Sequence, residues 1–212
     1  GHRSDEIRRF VDKTFRGIRV TYVINDRYHD TNNSYSLMLA SSAIGGAEFI
    51  KLDGDVVFET KVLRNLVDTD LPNTLCVDRS IVVTKEDRKV VVDEEMRVAE
   101  ISTSVISETV FGKPSGIDKI SAVTGPLLFA ELKQLMQSAT VAQVHCEAAY
   151  EQLVIKGVPF HTLDIAGLNW TQIDTTEGLL AANAMFGSPI ATVSRAQQRA
   201  FDEAAEKEPH PT

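Results

Sequence analysis

Three observations predict an α/β fold, with a mostly parallel sheet covered by helices and bordered by an antiparallel edge. Helix and strand patterns alternate from Ser4 to Val67, and that alternation indicates parallel strands with covering helices. Short β-branched runs separated by charged turns fill Ser80 to Ser107, which suits antiparallel strands at a sheet edge. The apolar run Phe49–Leu52 stops on Asp53-Gly54-Asp55, placing two carboxylates at the carboxyl end of a strand, where open α/β sheets bind ligands.

Each element has its own signal. Asp5 and Glu6 complement a helix N-terminus that Ser4 can cap, and Ile7, Phe10 and Val11 form one apolar stripe, so a helix is expected to about Phe15. Beyond Gly17, the β-branched run Ile18–Ile24 reads as a strand. A polar loop from Asn25 to Asn33 leads into a helix over Ser34–Ala43, stopped by Gly45-Gly46. After the acidic strand, Val62, Leu63, Leu66 and Val67 share one face of a helix over Glu59–Val67. Asn73–Asp78 and Ser115–Ser121 are further strands, with Ile81–Val83, Lys89–Val92 and Arg97–Ile101 as the edge runs. Pro126 suits the first turn of a helix to Met136, whose Leu127, Leu132 and Leu135 are assigned to the core. His145–Ile155 is a helix ended by Gly157, Val158–Ile165 a strand, and Glu177–Phe186 a helix capped by Thr175 or Thr176. A last helix is expected over Ser194–Ala205, followed by a frayed tail over Glu206–Thr212, so residues 1–205 read as one domain.

Composition narrows the function. A hydrophobic content of 43% in 212 residues supports a substantial core. A net charge of −8 without a Lys/Arg cluster argues against nucleic acid as the partner, yet a bound metal would let a phosphorylated ligand approach. Cys76 and Cys146 lie in apolar segments without metal-ligand spacing, as buried thiols of a reducing compartment do. With no signal peptide and no apolar run long enough to span a bilayer, a cytoplasmic location without membrane attachment is expected. His2, His29, His145, His161 and His210 show no ligand spacing, and none is assigned to catalysis.

The Asp53-Gly54-Asp55 pair suits a divalent cation, since Mg²⁺ is typically held by one or two carboxylates plus substrate phosphates; Asp and Gly also make simple turns. This stretch is one of several ordered blocks. They are Asn25-Asp26-Arg27-Tyr28 with Asn32-Asn33-Ser34-Tyr35-Ser36-Leu37, then Leu52-Asp53-Gly54-Asp55-Val56, then Gly116-Ile117 with Lys119-Ile120-Ser121, and Trp170-Thr171-Gln172-Ile173-Asp174-Thr175-Thr176-Glu177. Together they resemble the nucleotidyltransferases that activate sugar phosphates and phosphocholine, over nearly the whole chain. The resemblance implies a Rossmann-like three-layer sandwich of the nucleotide-diphospho-sugar transferase type. It also implies the joining of a nucleoside triphosphate, CTP favoured, to a phosphorylated alcohol or sugar with release of pyrophosphate. Asp55 and Asp174 are then the catalytic metal ligands for Mg²⁺, with Asp53 as a helper at the nucleotide or a turn residue. Asn32, Asn33 and Ser36 are placed near the base or ribose, where amides can read a base edge, though Asn-Asn before a helix also makes a good cap. Glu147 is placed toward the acceptor, and Trp170 stacks on a ligand or packs. Few aromatics lie near these motifs, so the resemblance is not extended to choline itself.

The chain departs from the family where Gln172 replaces a frequent acid and where Ser102-Thr103-Ser104 replaces a segment with a Lys. The family's opening strand, its glycine-rich loop with Arg and its Lys-Pro segment have no counterpart in these residues, so the resemblance implies an N-terminally truncated domain of weak activity. Two other readings remain open at this point. Asp53-Gly54-Asp55 is also the Asp-x-Asp of a metal-dependent glycosyltransferase, and the chain could be a non-catalytic metabolite-binding or regulatory subunit. The oligomeric state is unspecified.

Overall fold

The computed structural model describes residues 1–105, 109–138 and 144–187. Helices α1 (Ser4–Thr14), α2 (Asn33–Ile44), α3 (Thr60–Asp68), α4 (Thr124–Ser138), α5 (Cys146–Ile155) and α6 (Thr176–Phe186) accompany eight strands. These are β1 (Phe49–Leu52), β2 (Val56–Phe58), β3 (Thr74–Asp78), β4 (Lys89–Val92), β5 (Val98–Ser102), β6 (Lys113–Ile120), β7 (His161–Asp164) and β8 (Trp170–Gln172). The expected helix over 194–205 and tail over 206–212 lie outside the described residues.

The central sheet has the order β1-β6-β3-β7. β3 and β7 are parallel, whereas β6 runs antiparallel to both β1 and β3. β1, β3 and β7 therefore point one way, and their carboxyl ends share an edge with the start of β6. The fold is a mixed α/β sandwich, and antiparallel pairing occurs both inside the sheet, at β6, and in the separate ribbons β4–β5 and β2–β8.

β3 is buried along its whole length because both of its faces are covered. Leu75 and Val77 join Ile120, Leu128, Leu132, Tyr150 and Phe160 on one side, while Cys76 joins Val62, Leu66, Ile117, Ile165 and Trp170 on the other. The two clusters make three layers, with α4 and α5 on the first side and α3 on the second. Removing each large apolar side chain from water contributes about 1.5–3 kcal/mol, so these two clusters are what hold the sheet edge in place.

Several sequence expectations are corrected. Ile18–Ile24 forms no strand and pairs with none among the described residues, and Ile18, Val20, Val23 and Ile24 are exposed. β-branched residues favour a pleated, half-buried surface, and a strand forms only where a neighbour completes the ladder. The stripe of α1 is exposed at Ile7 and Phe10. Leu127 is exposed, and the adjacent Leu128 enters the core with Leu132 instead. Ile81–Val83 forms no strand, whereas Val56–Phe58 does; three residues are too few for periodicity to reveal.

Trp170 also belongs to the core. Its indole N–H donates to Asp78 Oδ2 at 2.7 Å, and Asp78 Oδ1 accepts from the Ser80 backbone N–H and hydroxyl. Burial works against the Asp78 charge, but these hydrogen bonds outweigh it and hold the carboxyl below its usual range. A depressed folded pKa gives stability that is complete above the unfolded value, about 3.9, and that is lost as pH falls through the folded value. Trp170→Phe should cost about 1–3 kcal/mol near pH 7 by urea denaturation, with a smaller loss below about pH 4. An equal loss at both pH values would show that the hydrogen bond to the carboxylate is not what Trp170 contributes.

Candidate active site

At the carboxyl ends of β1 and β3 lies a cavity of about 580 Å³. Its walls come from the start of α2 (Asn32, Asn33), the turn after β1 (Asp53, Gly54, Asp55), the loop before β4 (Glu86, Asp87, Arg88), Thr103 after β5, the start of β6 (Lys113, Pro114, Gly116), the start of α5 (His145, Glu147) and the end of β8 (Gln172, Asp174). Segments distant in sequence thus converge on one space.

Beneath it sits a buried ammonium group. Lys51 on β1 is directly opposite Asp118 on β6, and opposed residues of an antiparallel pair share a face. Lys51 Nζ lies 3.0 Å from Asp53, 3.3 Å from Asp118 and 3.7 Å from Glu147, and the Tyr150 hydroxyl donates to Asp118 Oδ2 at 3.2 Å. Burial pushes the Lys51 pKa down, but Asp118, Glu147 and Asp53 more than compensate and raise it. Burial raises Asp118 to about 6, against the pull of Lys51 and with help from Glu147 and Asp53. Glu147 moves the other way: burial opposes its charge, but Lys51 and, more weakly, Arg88 hold it ionised. Asp53 is raised by burial despite Lys51.

Backbone geometry makes room for this cluster. Asp53 N–H donates to the Gly116 carbonyl at 3.0 Å, and Gly116 has φ +77°, with a Cβ there falling 2.2 Å from Asp53 Oδ2. Only glycine fits, for the conformation and for the space.

Asp55 and Asp174 are joined through a different pairing. Val56 opposes Gln172 in the β2–β8 ribbon, and the Ile173 N–H donates to the Asp55 carbonyl at 2.8 Å, so the two acids flank one end of the ribbon. Both are exposed to the cavity. Hard carboxylate oxygens in a pair suit a magnesium ion completed by phosphate oxygens. Among the described residues no group of three or more acids, histidines or cysteines is arranged to hold a metal by itself.

The Asn pair clamps two helices. Asn32 Oδ1 accepts from Asn33 N–H at 2.7 Å, which turns its amide nitrogen toward His145 Nε2 at 3.0 Å. With that amide assignment Nε2 is the acceptor, and the ring proton is on Nδ1. Asn33 Oδ1 accepts from the Cys146 N–H at 3.0 Å, and the Ser34 hydroxyl donates to the Val144 carbonyl. Ser36 lies elsewhere: its hydroxyl accepts from Asn25 Nδ2, which organises the 25–31 loop.

Of the residues singled out in the sequence, Asn32, Asn33, Asp53, Asp55, Glu147 and Asp174 therefore line one cavity, while Ser36 and Trp170 do not. Lys51, Asp118, Arg88 and Lys113 carry no motif that singles them out in the sequence, and His145, assigned no role there, also lines the cavity. A lysine inside an apolar strand, with an aspartate inside another, is the signal that could have found the first two, since unpaired buried charges are rare.

The class to which this architecture corresponds is visible in solved structures. The inositol-1-phosphate CTP transferase from T. maritima superposes with a TM-score of 0.67 at 18% identity, covering 86% of this chain and 71% of that one. The CTP:phosphocholine cytidylyltransferase from Streptococcus pneumoniae gives 0.65 at 19% identity, over 86% of this chain and 74% of the other. The chain therefore has the fold of the nucleotidyltransferases that its motifs resemble. In sequence, it is 31% identical over 81 residues to a CMP-5'-(3-aminopropyl)phosphonate synthase from Streptomyces rubellomurinus, which is 38% of this chain and 13% of that protein's length. No protein-family model matches the chain. Among the described residues no helix is long and apolar enough to cross a membrane.

The Lys51 cluster makes a direct prediction. Lys51→Met should destabilise the fold by about 3–5 kcal/mol near pH 7, because it leaves buried carboxylates without their counter-ion. A raised carboxyl pKa in the folded state means that stability is fully present below the unfolded value and lost as pH rises through the folded one. Because Asp118 titrates at about 6 in the folded chain, the deficit should shrink on moving from pH 7 to pH 5 in urea denaturation. A pH-independent deficit would mean that lost packing, not charge, is the cause.

Proposed function

We propose that the chain is a single nucleotidyltransferase-like domain that joins a nucleoside triphosphate, CTP favoured, to a phosphorylated alcohol or sugar. The observation that carries this reading is the convergence of Asp55 and Asp174 at one end of the β2–β8 ribbon, inside the cavity of a fold shared with CTP-using transferases. The relative in Streptomyces rubellomurinus, named for a CMP-linked phosphonate, is in keeping with a cytidine nucleotide.

In this reaction an acceptor oxygen forms a bond to the α-phosphorus while the bond from that phosphorus to the bridging oxygen breaks and pyrophosphate departs. Both partners are anions, so catalysis rests on positioning and charge stabilisation rather than a protein nucleophile. Asp55 and Asp174 would hold Mg²⁺, which supplies positive charge at the triphosphate when bound. Asn32 and Asn33 use one face of each amide to join α2 to α5; their position at the cavity rim suits contact with the base or ribose. Glu147, kept ionised above Lys51, faces the acceptor. The Asp-x-Asp reading as a glycosyltransferase is weaker, because Lys51 already engages the Asp53 carboxylate at 3.0 Å.

The test is pyrophosphate release from CTP with a panel of phosphorylated acceptors, with Mg²⁺-dependent CTP binding measured in parallel. In a protein that also carries the family's opening strand and glycine-rich loop, Asp55→Asn and Asp174→Asn should each lower turnover about a hundredfold or more, since even outer partners of a metal site cost about 10–100-fold. Wild-type rates in either variant would remove the metal assignment. Transfer from an intact nucleotide sugar, with none from a free triphosphate, would favour the glycosyltransferase.

A further inference from the structure

The cavity is lined by six carboxylates, from Asp53, Asp55, Glu86, Asp87, Glu147 and Asp174, and by two cations, Lys113 and Arg88. The cations are not equivalent. Lys113 Nζ is committed to Asp87 Oδ1 at 2.7 Å. Arg88 is half-buried; no hydrogen bond or close salt bridge ties it to a described residue, and its charge acts on Glu147 through space.

The loop that carries Arg88 is tied down on both sides of it. Before it, Asp87 Oδ2 accepts the Thr84 N–H at 2.7 Å while Oδ1 holds Lys113. Burial opposes the Asp87 charge, but Lys113 and Thr84 prevail and lower its pKa to about 2, so the carboxylate is ionised throughout the physiological range. After it, the buried Lys89 ammonium donates to the Lys85, Asp87 and Thr103 carbonyls at 3.2, 2.9 and 3.0 Å. Asp87 and Lys89 are thus engaged by the scaffold, and the residue between them presents its charge to the cavity.

We propose that Arg88 is the residue that grips the phosphate or phosphonate head of the acceptor; this rests on the nucleotidyltransferase reading. A guanidinium is charged at any relevant pH, and its planar fork can meet two oxygens of one phosphoryl group. In a cavity with a surplus of carboxylates, an acceptor dianion needs such a counter-charge to approach a second anion. Arg88 comes from the loop before β4, whereas the Asn pair assigned to the nucleotide comes from the junction of α2 with α5, so the acceptor and the nucleotide are held by separate segments.

The experiment is calorimetric titration of the chain with inorganic phosphate and, separately, with Mg·CTP, for wild type, Arg88→Gln and Arg88→Lys. Arg88→Gln is expected to weaken phosphate by about tenfold or more, a loss of about 1.4 kcal/mol, and to leave Mg·CTP within about twofold. Arg88→Lys should fall between, retaining the charge but not the fork. Unchanged phosphate affinity in Arg88→Gln, or no phosphate binding by the wild type, would overturn the proposal. Loss of Mg·CTP binding with phosphate untouched would also overturn it, by assigning Arg88 to the triphosphate. Arg88-dependent phosphate binding together with transfer from an intact nucleotide sugar, and none from a free triphosphate, would instead sink the nucleotidyltransferase reading while leaving the oxyanion site standing.

Discussion

The ion pair between Lys51 and Asp118 is the constraint on which the site depends. It forms because one register of β1 on β6 places the two residues opposite each other, on the face that α5 covers. A slip of β1 by one residue against β6 would turn Lys51 to the other face, leaving Asp118 buried without its counter-ion. The charges therefore specify the register more sharply than the apolar residues around them. The same register brings Asp53 beside Gly116 and sets the direction in which Asp55 leaves the sheet.

This arrangement separates holding from reacting. Asp53, Asp118 and Glu147 gather about one ammonium group, which they keep protonated; Asp118, buried and tied in this way, is a poor ligand for anything else, whereas Glu147, at 3.7 Å from Lys51, also lines the cavity. Asp55 and Asp174 are exposed in the same cavity and belong to the ribbon rather than to the buried cluster. Three acids within a few residues, Asp53, Asp55 and Glu59, therefore take unlike roles: the first is bound by lysine, the second faces the cavity, and the third accepts from the Asn169 backbone at the entry to β8.

Much of the α/β plan was legible in the sequence because α2, α3, α5 and β3 carry patterns that local physics enforces: capping residues, an apolar face, a glycine stop. Less legible were features that depend on a neighbour. Ile18–Ile24 has every local mark of a strand and forms none, since a ladder is a property of two segments. Trp170 looked equally suited to a ligand or to the core, and Asp78, far away in sequence, decides for the core. The cavity residues divide in the same way. Asp55 and Asp174 stood out as acids at element ends, whereas Arg88 and Lys113 carry no local pattern and acquire meaning only when the loop before β4 folds against the start of β6.

The placement of cations across the cavity follows from the same rule of pairing. Three lysines near the site each have a structural role, for Lys51 binds the acids of the floor, Lys89 closes the loop on three carbonyls, and Lys113 fixes Asp87. Each is held by groups that would have to be given up before it could meet a ligand, and leaving those groups without a partner opposes the exchange. Arg88 has no such bond to break among the described residues. A ligand oxyanion would therefore gain most from meeting Arg88, whose charge reaches Glu147 only through space, so selectivity for anions in this acidic cavity depends less on how many cations line it than on which of them the fold has left without a hydrogen bond to break.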